Sequence, residues 1–301
     1  MKFVDVTNDI AFRKIFGNES KKKSLISFLN AAIDLPKNEE IVDVEIINPY
    51  QLGKLSDGKS TIVDVKAKDE KGNIFIVEMQ IAEFDFFHKR ILYYTSQGYV
   101  SQIDKGVQYN KLRPVYFIGI LEFNIGQNPN YFSRHKVLDV ETKEQIMQDV
   151  EFNFIELPKF DKTIDQLKTG IDQWTYFIKN AENLTVMPES VKDEGLKEAY
   201  TEANQQNWTK SELDDYLRAS IKERDEIGRI EFAEKKGEKK GEIRGKIEGK
   251  IEGKIEGKIE GKIEGKIEGK IEVAKSLKFN GFDIDLIAKT TGLTKEEIER
   301  L

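Results

Sequence analysis

Hydrophobic and polar residues alternate in two different periods along the first 120 positions, and the switches between them mark the elements. Ile10, Phe12, Ile15 and Phe16 recur at helical spacing behind Thr7 and Asn8, either of which can cap a helix start. Leu25, Ile26, Phe28, Leu29 and Ala32 form a second helical set, which Pro36 closes. Ile41 to Ile47 alternates Ile and Val with acidic residues, the mark of a half-buried strand. Thr61 to Lys68 and Ile74 to Ile81 also read as strands, joined at Glu70-Lys71-Gly72, where glycine supplies the left-handed turn residue. Phe86 to Gly106 reads as a long helix. Pro114 to Phe123 is apolar without clean alternation, which predicts a central strand. The element order is α-β-β-β-α-β.

The hairpin places chemistry. With a three-residue loop, facing positions sum to 142, so Asp64 stands opposite Glu78 and Ile62 opposite Gln80. Glu78 and Gln80 share one strand face with Asp64, because side chains alternate with period two. The other face is apolar: Val63, Val65 and Ala67 against Phe75, Val77 and Met79. Adjacent carboxylates repel unless a proton or a cation neutralises them. Oxygen ligands suit Mg²⁺ or Mn²⁺, which can activate water and clamp a phosphate. Spacing alone leaves two other readings open: a solvent-facing strand, or a local ion pair with Lys66 or Lys68.

Composition narrows the chemistry. The 301 residues include no cysteine, which excludes disulfides, thiolate metal sites and thiol catalysis. His88 and His135 are the only imidazoles, each alone in a polar context, and surface positions are expected for both. Trp174, Tyr176, Phe177 and Trp208 are expected to pack helices. The net charge of −6 argues against a protein that coats nucleic acid over its whole surface. Residues 1–120, however, carry 17 Lys and Arg against 16 Asp and Glu, so a local basic groove remains available. The opening Met1 to Asp5 has no apolar leader, and the apolar stretch Val115 to Leu121 is too short to span a bilayer. A soluble, cytoplasmic protein is expected.

Several motifs occur in a specific order: Thr7-Asn-Asp-Ile-Ala-Phe-Arg-Lys-Ile-Phe-Gly17, Leu25-Ile-Ser-Phe-Leu-Asn30, Ile62-Val-Asp-Val-Lys66, Ile76-Val-Glu-Met-Gln80, Arg90-Ile-Leu-Tyr-Tyr94 and Ile155-Glu-Leu-Pro-Lys159. Over residues 1–180 this order resembles the Rpn family, the recombination-promoting nucleases and transposases of the PD-(D/E)XK superfamily. The resemblance implies a restriction-endonuclease-like α/β core, a mixed αβββαβ sheet flanked by helices, and a Mg²⁺-dependent endonuclease acting on DNA. It implies that Asp64 and Glu78 are catalytic and hold metal, that Asp9 on the first helix helps, and that Gln80, standing where most of the superfamily has lysine, is the third catalytic residue and orients water. A neutral amide can hydrogen-bond but cannot supply a cation. Lys66 or Lys14 is the expected substitute, each also a candidate for binding substrate. Arg90, Tyr93, Tyr94 and Gln97 share one helical face. On the DNA reading Arg90, Tyr93 and Gln97 grip a backbone and stack a base; the plainer reading buries one tyrosine and leaves the arginine at the surface. A nuclease-fold protein that binds DNA or a partner without cutting is the alternative function.

Beyond residues 181–228, expected to be a helical extension, lies a tetrad repeat over residues 229–272. It contains six copies of Lys-Ile-Glu-Gly from Lys246 to Gly269 and nine glycines at spacing four from Gly237. Four residues turn about 400° in a helix, so the isoleucine stripe drifts about 40° per repeat and favours a right-handed supercoil. Like charges fall at i,i+4 and glycine weakens the helix by about 1 kcal/mol per site. Helix is favoured over strand, with a partly disordered spacer as the competitor. A self-association arm giving a homo-oligomer and a simple solvated linker are both open. Residues 273–301 form a small helical element: Asp283 caps Ile284 to Thr290, Gly292 stops that helix, and Thr294 with Glu297 opens another. The segment has helix-turn-helix texture, but Lys295-Glu-Glu-Ile-Glu299 puts acid where phosphates would bind, which favours a protein contact.

Overall fold

A computed structural model of the chain describes residues 2–33, 35, 36, 38–47, 64–82, 86–103 and 108–301. The chain divides into two units, Met1–Ile227 and Gly228–Leu301.

In the first unit, Asn8 starts α1 (Asp9–Phe16) by accepting the N–H groups of Ile10 and Ala11. Four apolar residues of α1, Ala11, Phe12, Ile15 and Phe16, are buried. α2 (Lys23–Ala32) follows, then β1 (Val44–Ile47). Asn30 ties α2 to the segment that leads into β1: its Nδ2 donates to the Ile41 carbonyl and its Oδ1 accepts the Ile41 N–H, both at 2.9 Å.

β2 (Val65–Asp69) and β3 (Ile74–Gln80) pair antiparallel with Val65 opposite Val77 and Lys68 opposite Ile74. That register is the sum of 142 expected from the turn, where Gly72 has φ +91°. Thr61, Ile62 and Val63, which were expected to extend β2, lie outside the described residues. α3 (Phe87–Val100) is shorter than the Phe86–Gly106 expectation. Past its end, Gln102 exchanges two 2.9 Å hydrogen bonds with the Arg113 backbone and turns the chain toward β4 (Val115–Leu121). β5 (Phe132–Lys136) and β6 (Val150–Glu156) complete a sheet ordered β1-β2-β3-β4-β6-β5. β4 is central, as its continuous apolar run predicts, and pairs parallel with β3 and β6.

One sheet face packs on α1, α2, α4 (Gly170–Asn180) and α5 (Glu194–Ala203) in a core that includes Val65, Phe75, Val77, Trp174 and Phe177. The other packs on α3 through Ile74, Ile76, Phe87, Ile91 and Phe117. Residues 181–227 belong to this unit, since α5 contributes Leu196, Ala199 and Tyr200 to the larger core.

α6 (Lys210–Phe279) carries the tetrad repeat as helix. Its i,i+4 ion pairs, Glu231–Lys235, Glu242–Lys246 and Arg244–Glu248, all begin before the regular Lys-Ile-Glu-Gly copies, whose like charges oppose such pairs. In the second unit, α7 (Ile284–Thr291) is capped by Asp283 and ended by Gly292 at φ +70°, and α8 (Lys295–Glu299) opens on the Thr294–Glu297 capping box. Ala274, Ile287 and Ile298 bury one another. Among the described residues no helix is long and apolar enough to cross a membrane.

Candidate active site

Asp64 immediately precedes β2, one position beyond the Val65–Val77 pair and so opposite Glu78. Its carboxylate is pinned from two sides. Oδ2 accepts the Met79 N–H at 2.9 Å, and Oδ1 accepts from Arg13 of α1 at 3.2 Å. Burial raises its pKa first; the nearby Asp9 adds to the rise, while the Met79 bond and Arg13 oppose it.

Glu78 is buried in the middle of the sheet, on the face toward α3. Burial, with a contribution from Asp64, pushes its carboxyl up to about 7 against the pull of Arg90. Arg90 reaches down from α3 and donates from one guanidinium nitrogen to Glu78 Oε1 and, at 2.6 Å, to Gln80 Oε1. Glu78 Oε2 is buried and has no hydrogen-bond partner among the described residues. A buried carboxylate oxygen left open this way costs free energy unless another group takes it up.

The cation beside Gln80 is therefore Arg90, not the expected Lys66 or Lys14. Lys14 is paired with Glu212 of α6 and lies 5.0 Å from the Trp208 ring centre. Lys66 is buried, and burial lowers its pKa. It makes no ion pair among the described residues. Arg90, expected to grip a phosphate, is turned inward onto the two site residues. Tyr94 is buried beneath it, the guanidinium lying 5.5 Å from the ring centre. Tyr93 is exposed, and its hydroxyl accepts from Gln97 at 3.2 Å, so these two stay on the open side of α3.

Asp9 is exposed at the start of α1, and its backbone N–H donates to Glu223 of α6 at 3.3 Å. Asp9 acts electrostatically on both Asp64 and Glu223. Yet among the described residues no three His, Cys, Asp or Glu side chains lie close enough to hold a metal ion. The expected trio of Asp9, Asp64 and Glu78 is thus not assembled as a cage. Asp64 is turned to Arg13 and Met79, and Glu78 to Arg90. The donor chemistry still fits a hard cation: two acidic side chains meet, and one buried oxygen is uncommitted.

Sequence reasoning missed Arg13 and Glu223. Arg13 follows Asp9 by four residues, so one helical face of α1 carries both, a signal present in the sequence. Glu223 lies 214 residues from Asp9, and nothing local announces the contact. His88 and His135 share a small cavity of about 200 Å³ with Ile91, Leu92, Phe152 and Phe154. Trp174 and Phe177 are core residues.

The family model of the PD-(D/E)XK nuclease family transposases matches residues 6–233. The chain belongs to that family. The match covers the six-stranded mixed sheet and its flanking helices; the motif order implied a mixed sheet flanked by helices but only four of its strands. No curated protein and no solved structure matches the chain significantly. Within this PD-(D/E)XK family member, the pair formed by Asp64 and Glu78 is the candidate centre.

Proposed function

We propose that the protein is a DNA endonuclease dependent on Mg²⁺ or Mn²⁺ that hydrolyses phosphodiester bonds in recombination or transposition. The observation that carries this reading is the uncommitted, buried Glu78 Oε2 next to a second carboxylate, Asp64. Asp64 and Glu78 would hold the cation, with Asp9 closing on it from α1. When bound, such an ion supplies Lewis-acid stabilisation and a water of lowered pKa.

The chain's own residues do the rest. The Met79 N–H and Arg13 hold the Asp64 carboxylate in place beside Glu78. Arg90 holds Gln80 and Glu78 together, which sets the amide beside the carboxylate and places a fixed positive charge at the site. Gln80 can orient an attacking water through its amide. Tyr93 and Gln97 present a polar and aromatic patch that a DNA strand can stack on.

One observation favours the second reading, a nuclease fold that binds DNA or a partner without cutting. Arg13 and Arg90 already neutralise the two carboxylates. Plasmid nicking separates the two. Wild type should nick with Mg²⁺ and not with EDTA, and Asp64→Ala should lose the activity; equal nicking by both proteins rejects this centre.

The repeat supports a further part of the reading, self-association. Isoleucines from Ile243 to Ile267 stay about half exposed along α6, and the repeat glycines leave open space beside the backbone. A second copy can cover that stripe. Circular dichroism of residues 230–275 should show helix content rising with concentration; coil at every concentration rejects the arm.

A further inference from the structure

A polar cavity opens on the α3 side of the β2–β3 hairpin, toward its turn. It has a volume of about 540 Å³ and is bordered by Lys66, Lys68, Lys71, Lys111 and Arg113, with Glu70 as its one carboxylate among the described residues. Lys71 is engaged by Glu39, at 3.9 Å to the carboxylate and 3.3 Å to the carbonyl. Lys66, Lys68, Lys111 and Arg113 make no ion pair among the described residues.

Lys66 is the unusual member. It is only 5 % exposed, yet its ammonium has no hydrogen bond or ion pair among the described residues. The stem of Lys66 is buried, but its Nζ is not among the fully enclosed unpaired atoms, so the ammonium is open to a ligand. Lys66 borders a cavity whose other charged walls are cationic except for Glu70, the rest of the lining being Ile47, Gly72, Ile74, Ser101 and Gln102. The walls are also held in place. Gln102 fixes the Arg113 backbone through two hydrogen bonds. The stems of Lys68 and Arg113 converge on Gly72, where a Cβ would lie 3.5 Å from Lys68 Cε and 3.2 Å from Arg113 Cγ. The arrangement suits a tetrahedral polyanion, which can take charge-assisted hydrogen bonds from several directions at once.

We infer that this cavity binds a phosphate group, and that the group is a backbone phosphate of the DNA strand lying over Asp64 and Glu78. The inference rests on the nuclease reading for the identity of the strand and on the cavity alone for the phosphate. Lys66 and Lys68 lie two and four residues along β2 from Asp64, about 7 and 13 Å at a strand's rise. Phosphates recur every ~3.4 Å of axis along one DNA strand. A strand cut at Asp64 and Glu78 therefore carries phosphates within reach of the cavity, which holds the flank of the strand while the acidic pair meets the scissile bond.

The test uses the full chain in EDTA, so that no cleavage occurs, with two probes: inorganic phosphate and a fluorescent DNA duplex of arbitrary sequence. Lys66→Met should abolish the rise in thermal stability that inorganic phosphate gives wild type. Lys68→Ala/Lys111→Ala, both at exposed positions, should weaken duplex binding about tenfold and flatten the dependence of log affinity on log salt by about 1 to 2. Unchanged duplex affinity and salt slope in the double variant overturn the inference, whatever Lys66→Met does. Loss of phosphate stabilisation with unchanged duplex binding would mean that the cavity serves a free phosphate, and also overturns it. Failure of the nuclease reading shows separately, as wild type that never nicks with Mg²⁺ while the binding changes occur as expected.

Discussion

The Asp64 carboxylate accepts the N–H of Met79 at 2.9 Å, so the acidic side chain itself continues the β2–β3 ladder. The bond makes Asp64 both a candidate ligand and a structural acceptor, and the two roles separate by substitution. Asp64→Asn keeps an acceptor for Met79, whereas Asp64→Ala leaves that N–H without one and should cost about 1–2 kcal/mol. Urea unfolding should show the difference, while both variants lose metal-dependent nicking by about a hundredfold or more. Equal stability of the two variants would remove the structural role.

Glu78 predicts how stability depends on pH. Its carboxyl sits near 7 in the fold against an ordinary 4.5, so the folded state keeps the proton that the unfolded chain releases. The stabilisation is complete below about 4.5, declines as pH rises through 7, and then levels, a loss of about 3 kcal/mol. Glu78→Gln should flatten this decline and be more stable than wild type above pH 7. Denaturation midpoints from pH 4 to 9 without metal check it. A wild-type curve that stays flat between 4.5 and 8 contradicts the burial argument.

Arg90 opposes the upward push on Glu78. Arg90→Met should raise the carboxyl's pKa further, so metal-dependent cleavage should begin at higher pH than in wild type, while Arg90→Lys keeps part of the effect. Nicking rates from pH 6 to 9 report the shift. A profile unchanged in Arg90→Met would mean that Arg90 only packs.

Gly195 tests the helical layer behind the sheet. A Cβ there would lie 2.3 Å from the Lys23 carbonyl oxygen and 2.5 Å from Ser27 Cβ, closer than α2 and α5 can tolerate. Gly195→Ala should destabilise the first unit by about 3 kcal/mol. Thermal unfolding checks this, and an unchanged midpoint would mean that the two helices are not so closely packed.

The hairpin was legible because its register depends on local facts. Side chains alternate strictly and Gly72 permits the turn, so the 142 sum places Asp64 across from Glu78 with no tertiary contact needed. The partners of those acids were not legible. Whether Arg90 faces solvent or Glu78 depends on how α3 rotates over the sheet, and Phe87, Ile91 and Tyr94 decide that by packing below it. Lys14 was drawn away by Glu212 and Trp208, some 200 residues on. β5 escaped reading because Phe132–Lys136 is an edge strand with mostly polar side chains. In β6 the buried Glu151 and Asn153 interrupt the apolar pattern.

If Asp64 and Glu78 together take up a divalent cation, the binding is measurable directly. Mn²⁺ titration at pH 8, with free ion followed by electron paramagnetic resonance, measures this without DNA. Wild type should remove Mn²⁺ from solution at a site that Asp64→Asn and Glu78→Gln each lose. Binding by the two variants that matches wild type would mean that Asp64 and Glu78 hold no metal ion.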